Sequence, residues 1–215
     1  MSLVHDERLG LFRSADIYPV ITTAFCAGRD PAAILKDLLE EGVKVVQLRE
    51  KEMPDRDLFS LTTEFKRLCV QFSALLIIDD RLDIAMAAGA DGVHFGQTDL
   101  PVSAARAVAP DLLLGVSTHN PDEISEAEKS GASYINIGPV FPTQTKETHY
   151  PPVGLENLKA WTRSVKVPFS VMGGIKEDNI ASVKKAGGRI FAMVTELTTA
   201  PDIAKKLRNL RKRIG

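Results

Sequence analysis

Eight short apolar runs recur along this chain of 215 residues, each followed by a stretch with helical spacing, and no other feature constrains the fold as strongly. The runs fall at 17–22, 43–49, 75–78, 92–95, 112–117, 134–137, 169–172 and 190–194. The helical stretches fall at 31–41, 54–72, 81–88, 101–108, 120–130, 155–162, 178–186 and 202–214. Apolar residues three and four apart make one buried helix face, whereas an unbroken run such as Leu75-Leu76-Ile77-Ile78 suits a strand covered on both sides. Regular alternation of the two implies a parallel sheet with right-handed crossovers. Eight such units match a closed (β/α)8 TIM barrel, a single domain over residues 1–215, with the charged, aperiodic residues 1–16 as a lead-in arm or helix. Gly42, Gly89, Gly131 and Gly187 each close a helix just before an even-numbered strand, where a left-handed cap suits glycine. An open doubly wound sheet is the competing layout. It would carry a G-x-G-x-x-G turn after the first strand, and Ile21-Thr22-Thr23-Ala24 offers none.

Composition narrows the function classes. The chain is large enough to bury a sizeable core, and a formal net charge of −1 leaves no electrostatic argument for nucleic acid or a membrane surface. The basic residues between 205 and 213 sit on the last helical stretch, where they complement the helix dipole. No apolar run approaches the roughly 20 residues of a membrane span, and the start shows no secretory signal pattern. Cys26 and Cys69 match no metal-ligand spacing and read as free thiols in a reducing, cytoplasmic setting. Oligomeric state is not legible.

In a (β/α)8 barrel the chemistry lies where the strands end. The second run ends Gln47-Leu48-Arg49-Glu50-Lys51, with Gln47, Arg49 and Lys51 on one side of an extended segment. Two cations and an amide there meet either a bound anion or a structural carboxylate. The third and fourth runs end in Asp79-Asp80 and in Gln97-Thr98-Asp99, so Asp80 and Asp99 lie near each other at the mouth. Asp80 reads as a helix N-cap or, together with Asp99, as a ligand pair for Mg2+ bridged to phosphate oxygens. After the sixth run, Gly138-Pro139-Val140-Phe141-Pro142 leads into Thr143, Gln144, Thr145 and Lys146. Two hydroxyls, an amide and an ammonium on a proline-restricted loop suit an anion. Backbone amides near Gly174 and Thr195 suit a monophosphate, because the loops after strands 7 and 8 are this fold's recurrent phosphate site. His94 reads as a satisfied interior residue, and His119 stays open between structure and chemistry.

Gln47-Leu48-Arg49-Glu50-Lys51, Asp91-Gly92-Val93-His94-Phe95-Gly96-Gln97 with Asp99, Gly115-Val116-Ser117-Thr118-His119, the loop from Gly138 to Lys146 and Gly173-Gly174-Ile175 occur in this order. That series closely resembles the thiamine-phosphate synthase (thiamine-phosphate pyrophosphorylase) family. The resemblance implies a barrel enzyme, a transferase of thiamine biosynthesis. It would condense 4-amino-2-methyl-5-(diphosphooxymethyl)pyrimidine with a thiazole phosphate to give thiamine phosphate and pyrophosphate. Carried onto this chain, it puts the pyrimidine diphosphate on Gln47, Leu48, Arg49, Glu50, Lys51, Asp79, Ser117 and Lys146. Mg2+ would sit on Asp80 and Asp99, and the thiazole phosphate on Thr143, Gln144, Thr145, Gly174, Val194 and Thr195. Arg49, Lys51, Lys146 and Ser117 would act on the leaving diphosphate. Two positions depart from the family pattern: Asp79 stands where asparagine is usual, and Thr195-Glu196 where Ser-Ala is usual. Two other readings remain. One is a thiazole tautomerase-like enzyme using His119, and the other is a non-catalytic relic that binds thiamine precursors.

Overall fold

The structure, a computed structural model, describes residues 2–143 and 150–215. Its strands are β1 (Ile17–Ile21), β2 (Val45–Leu48), β3 (Leu75–Asp79), β4 (Gly92–Phe95), β5 (Leu113–Thr118), β6 (Tyr134–Ile137), β7 (Phe169–Val171) and β8 (Ile190–Met193). They close in sequence order, with β1 parallel to both β2 and β8. The helices are α1 (Leu3–Arg13), α2 (Pro31–Glu40), α3 (Asp55–Gln71), α4 (Leu82–Ala87), α5 (Val102–Val108), α6 (Pro121–Lys129), α7 (Gly154–Trp161), α8 (Ile180–Lys185), α9 (Thr195–Thr198) and α10 (Ile203–Ile214). The expected (β/α)8 barrel is therefore present: β4 and β6 have the expected bounds, β1, β2, β7 and β8 are shorter by one or two residues at one or both ends, β3 runs one residue further, and β5 is shifted by one.

Strand period 2 divides the core in two. Side chains such as Val46, Leu48, Leu76, Ile78 and Val93 point outwards and pack under the helices. Tyr18, Val45, Leu75, Ile77, Leu113, Tyr134, Ile190 and Ala192 point inwards. Residues 2–16 show what a periodicity argument could not. Helix α1 carries Leu9 and Phe12 into the interior cluster, and the Phe12 ring lies 4.2 Å from Tyr134 and 5.9 Å from Tyr18. The supposed lead-in is thus a plug at the N-terminal end of the barrel. Burying a side chain the size of Phe12 contributes about 1.5–3 kcal/mol. His5 fixes the plug by pairing with Ser133 Oγ at 2.9 Å, and the Asp91 carboxylate gathers Lys66, Arg8 and the Leu76 N–H nearby.

Local chemistry accounts for the helix starts. Asn120 caps α6 by accepting from the Glu123 N–H at 2.9 Å with Pro121 in the first turn, and Asp30 caps α2 ahead of Pro31 in the same way. Asp80 does not cap α4. Its backbone is left-handed (φ 58°) and its carboxylate pairs with Lys51 instead.

Candidate active site

A cavity of about 690 Å3 opens where the strands end. Of the residues assigned a substrate or metal role from sequence, Arg49, Ser117, Thr143, Gly174, Val194 and Thr195 line it, and so do His119 and Glu196. Gln144, Thr145 and Lys146 lie outside the described residues.

On the β2–β3 side, Asp79 Oδ2 lies 3.4 Å from Arg49 Nε and 3.1 Å from Lys51 Nζ, and Lys51 also pairs with Asp80. Burial works against the Lys51 charge, but Asp79 and Asp80 outweigh it and raise its pKa. Burial, followed by the charge of Asp79, pushes Asp80 up to about 6. Asp80 lies within side-chain hydrogen-bonding reach of Asp99, whose Oδ2 accepts from the Gly96 N–H at 2.6 Å. Two cations and three carboxylates thus converge where β2, β3 and β4 end.

Two members of the Gln47–Lys51 segment face elsewhere. The Leu48 side chain is fully buried between barrel and helices, so it has no side-chain access to the mouth. Strand alternation turns it outwards while Gln47 points in. Glu50 reaches towards β1, where its Oε1 accepts from the Thr23 N–H and hydroxyl at 2.6 Å each. Gln47 lies inside the barrel and donates to Tyr18 OH at 3.1 Å.

The other side is built from the ends of β6, β7 and β8. Gly138 and Pro139 are joined by a cis peptide bond, and Phe141 N–H donates to the Gly173 carbonyl at 3.0 Å. This brings the loop after β6 against the glycine turn after β7. At Gly174 (φ +62°) a Cβ would sit 2.7 Å from the Pro142 carbonyl oxygen, so only glycine fits. Asn179 braces that turn, donating to the Gly174 carbonyl and accepting from the Lys176 N–H. Thr195 opens the short helix α9 directly after β8, with no side chain capping it.

Glu196, unexpected from the family pattern, has a clear structural partner. Lys206 on α10 lies 3.0 Å from both Glu196 and Glu177, and Glu196 accepts from the Glu177 N–H at 3.2 Å. The glutamate ties the loops after β7 and β8 together. His119 pairs through Nδ1 with Glu123 Oε2 at 2.7 Å and stacks on Tyr150 with ring centroids 3.6 Å apart.

Residues 17–197 match the family model described as "Thiamine monophosphate synthase". The chain belongs to this family. It is 39% identical over 211 residues to the thiamine-phosphate synthase of Caldicellulosiruptor saccharolyticus, covering 98% of this chain and 96% of that protein. To the Pelotomaculum thermopropionicum thiamine-phosphate synthase it is 40% identical over 210 residues, covering 97% and 96%. Among solved structures, the thiamine phosphate pyrophosphorylase of Pyrococcus furiosus superposes with a TM-score of 0.87 at 33% identity, covering 95% of this chain and 97% of that one. 3-Hexulose-6-phosphate synthase, at 21% identity and a TM-score of 0.68, shares the fold. No helix among the described residues is long and apolar enough to cross a membrane.

Proposed function

We propose that this chain joins the aminopyrimidine methyl diphosphate to a thiazole phosphate, releasing thiamine phosphate and pyrophosphate. The bond broken is the methylene C–O bond to the diphosphate, and the bond formed joins that carbon to the thiazole nitrogen. The observation that carries the reading is the convergence of Arg49 and Lys51 beside Asp80 and Asp99 at the ends of β2, β3 and β4, in a chain of this family.

Arg49 and Lys51 hold the diphosphate and offset the negative charge that grows on it as the C–O bond breaks. By the family resemblance Lys146 serves the same diphosphate, and Ser117 meets the pyrimidine diphosphate from β5. Thr143, Gln144, Thr145, Gly174, Val194 and Thr195 hold the thiazole phosphate, the last three through backbone amides at the strand ends. Holding both substrates on one rim turns a bimolecular encounter into a positioned one. The electron-rich aminopyrimidine stabilises the cation left at its methylene, so no side-chain nucleophile is needed.

Among the described residues, no cluster of three or more His, Cys, Asp or Glu side chains forms a metal site of its own. The Asp80–Asp99 pair nonetheless fits Mg2+, which takes one or two carboxylates and completes its shell with substrate oxygens and water. Bound there, Mg2+ would supply positive charge to the diphosphate. Mixing the protein with both substrates and following pyrophosphate tests the reading. Release should require both substrates, stop with EDTA, and fall at least a hundredfold in Asp99→Asn. No release from the unmodified protein with Mg2+ would overturn it.

A further inference from the structure

The barrel interior holds polar groups that the proposed reaction leaves unused. His94, Gly115 and Tyr134 stand in register on β4, β5 and β6. The middle position has no side chain, so the outer two meet across it: Tyr134 OH lies 3.1 Å from His94 Nδ1. A Cβ at Gly115 would overlap the Tyr134 ring and sit 2.6 Å from His94 Nδ1. From Tyr134 the contacts continue to Tyr18 OH at 2.9 Å and on to the Gln47 amide nitrogen at 3.1 Å. In the other direction His94 Nε2 lies 2.9 Å from Ser117 Oγ. Tyr18 and Tyr134 are fully buried, and Gln47 and His94 are 4% exposed. Ser117 opens on the cavity.

We infer that Tyr18, Tyr134 and His94 form a hydrogen-bond chain coupling Gln47 to Ser117 across the barrel, making Ser117 a donor to the bound ligand. The proton count carries the argument. Each phenol has one proton, and neutral imidazole has one donor and one acceptor nitrogen. With the Gln47 amide nitrogen donating to Tyr18, the Tyr18 proton goes to Tyr134 and the Tyr134 proton to His94 Nδ1. His94 then carries its own proton on Nε2 and donates it to Ser117 Oγ. The Ser117 hydroxyl proton is left to point at the ligand. Turning the Gln47 amide over reverses every bond: its carbonyl would accept from Tyr18, Ser117 would donate to His94 Nε2, and the serine would meet the ligand as an acceptor only. The two ends are therefore always opposite in character, and the amide orientation selects which is which. Burial raises both phenol pKa values, which keeps both protons in place. Resting on the reading of Ser117 as a diphosphate-side contact, His94 is a positioning residue that acts through the serine.

Histidine 15N NMR of the unliganded protein tests the chain without any turnover, with the His94 signal assigned by its loss in His94→Gln. The expected state is the neutral tautomer protonated at Nε2. Tyr134→Phe, which keeps the ring and cuts the chain, should let the Nδ1-protonated form appear. An Nδ1-protonated His94 in the unmodified protein, or an unchanged tautomer in Tyr134→Phe, would overturn the inference. Kinetics give a second arm. Tyr134→Phe should lower kcat about tenfold, the scale of one misdirected hydrogen bond, and leave KM for the thiazole phosphate unchanged. Added to Ser117→Ala, it should cost nothing further. Additive losses would mark Tyr134 as packing alone and sink the positioning role. Absence of turnover in every variant and in the unmodified protein would contradict the proposed reaction, while the tautomer still decides the chain.

Discussion

Asp79→Asn should strengthen diphosphate binding. Asp79 Oδ2 lies 3.4 Å from Arg49 Nε and 3.1 Å from Lys51 Nζ, the two cations assigned to the diphosphate. At an effective dielectric constant of about 20, each pair is attracted by roughly 5 kcal/mol before desolvation and side-chain entropy are subtracted. The Lys51 side chain is 42% exposed, which leaves its pair a net worth of about 1 kcal/mol, and the drier Arg49 pair is of similar size. A ligand that takes over both cations must first displace about 2 kcal/mol of internal pairing, close to a thirtyfold loss of affinity. Asparagine keeps the shape and removes that competition, together with the repulsion between carboxylate and diphosphate. Calorimetric titration with inorganic pyrophosphate and Mg2+ should therefore give a Kd about ten- to thirtyfold lower for the variant. Weaker binding by Asp79→Asn would rule out that competition and make the carboxylate a contributor to the metal site.

Three other outcomes follow from the geometry. Glu196→Gln weakens the Lys206 tie between the loops after β7 and β8, so KM for the thiazole phosphate should rise several-fold while KM for the diphosphate stays constant. Asp91→Ala strips the partner from Lys66 and from the Leu76 N–H at the N-terminal end of the barrel. It should cost about 3 kcal/mol, lowering Tm by about 6–12 °C with kcat per folded molecule unchanged. Burial, then the nearby Arg106 charge, lowers the pKa of His5, so the native state binds its proton less readily than the unfolded chain. Stability should therefore fall as pH drops below about 6.5 and level off below the depressed native value, and Tm against pH should be flatter for His5→Gln.

The architecture was legible because period and spacing are local properties. Eight apolar runs and the glycine before every even strand follow from which residues suit a parallel strand or a left-handed cap, and the barrel has them in place. Helix α1 was not legible as a plug. Its buried residues His5, Leu9 and Phe12 are spaced for a helix, but Asp6, Glu7, Arg8 and Arg13 between and after them dilute the pattern. Strand-end logic brought Asp80 next to Asp99 and aimed Arg49 and Lys51 at the mouth. It left open a structural carboxylate as their partner but did not identify it as Asp79, because which neighbour a side chain reaches depends on register between strands. The interior chain was hidden for the same reason. Tyr18, His94 and Tyr134 are far apart in sequence, and only the register around Gly115 brings His94 to Tyr134. Glu196 looked anomalous until Lys206, ten residues on, supplied its partner.

The proposed barrel mouth has a diphosphate–metal half and a monophosphate half that together make one carbon–nitrogen bond. Its most direct test is to incubate the purified protein with both substrates and Mg2+ and count products by mass spectrometry. Thiamine phosphate and pyrophosphate should appear in a 1:1 ratio, neither forming when one substrate or the metal is left out. Consumption of the thiazole phosphate alone, or binding of both substrates with no product, would contradict it.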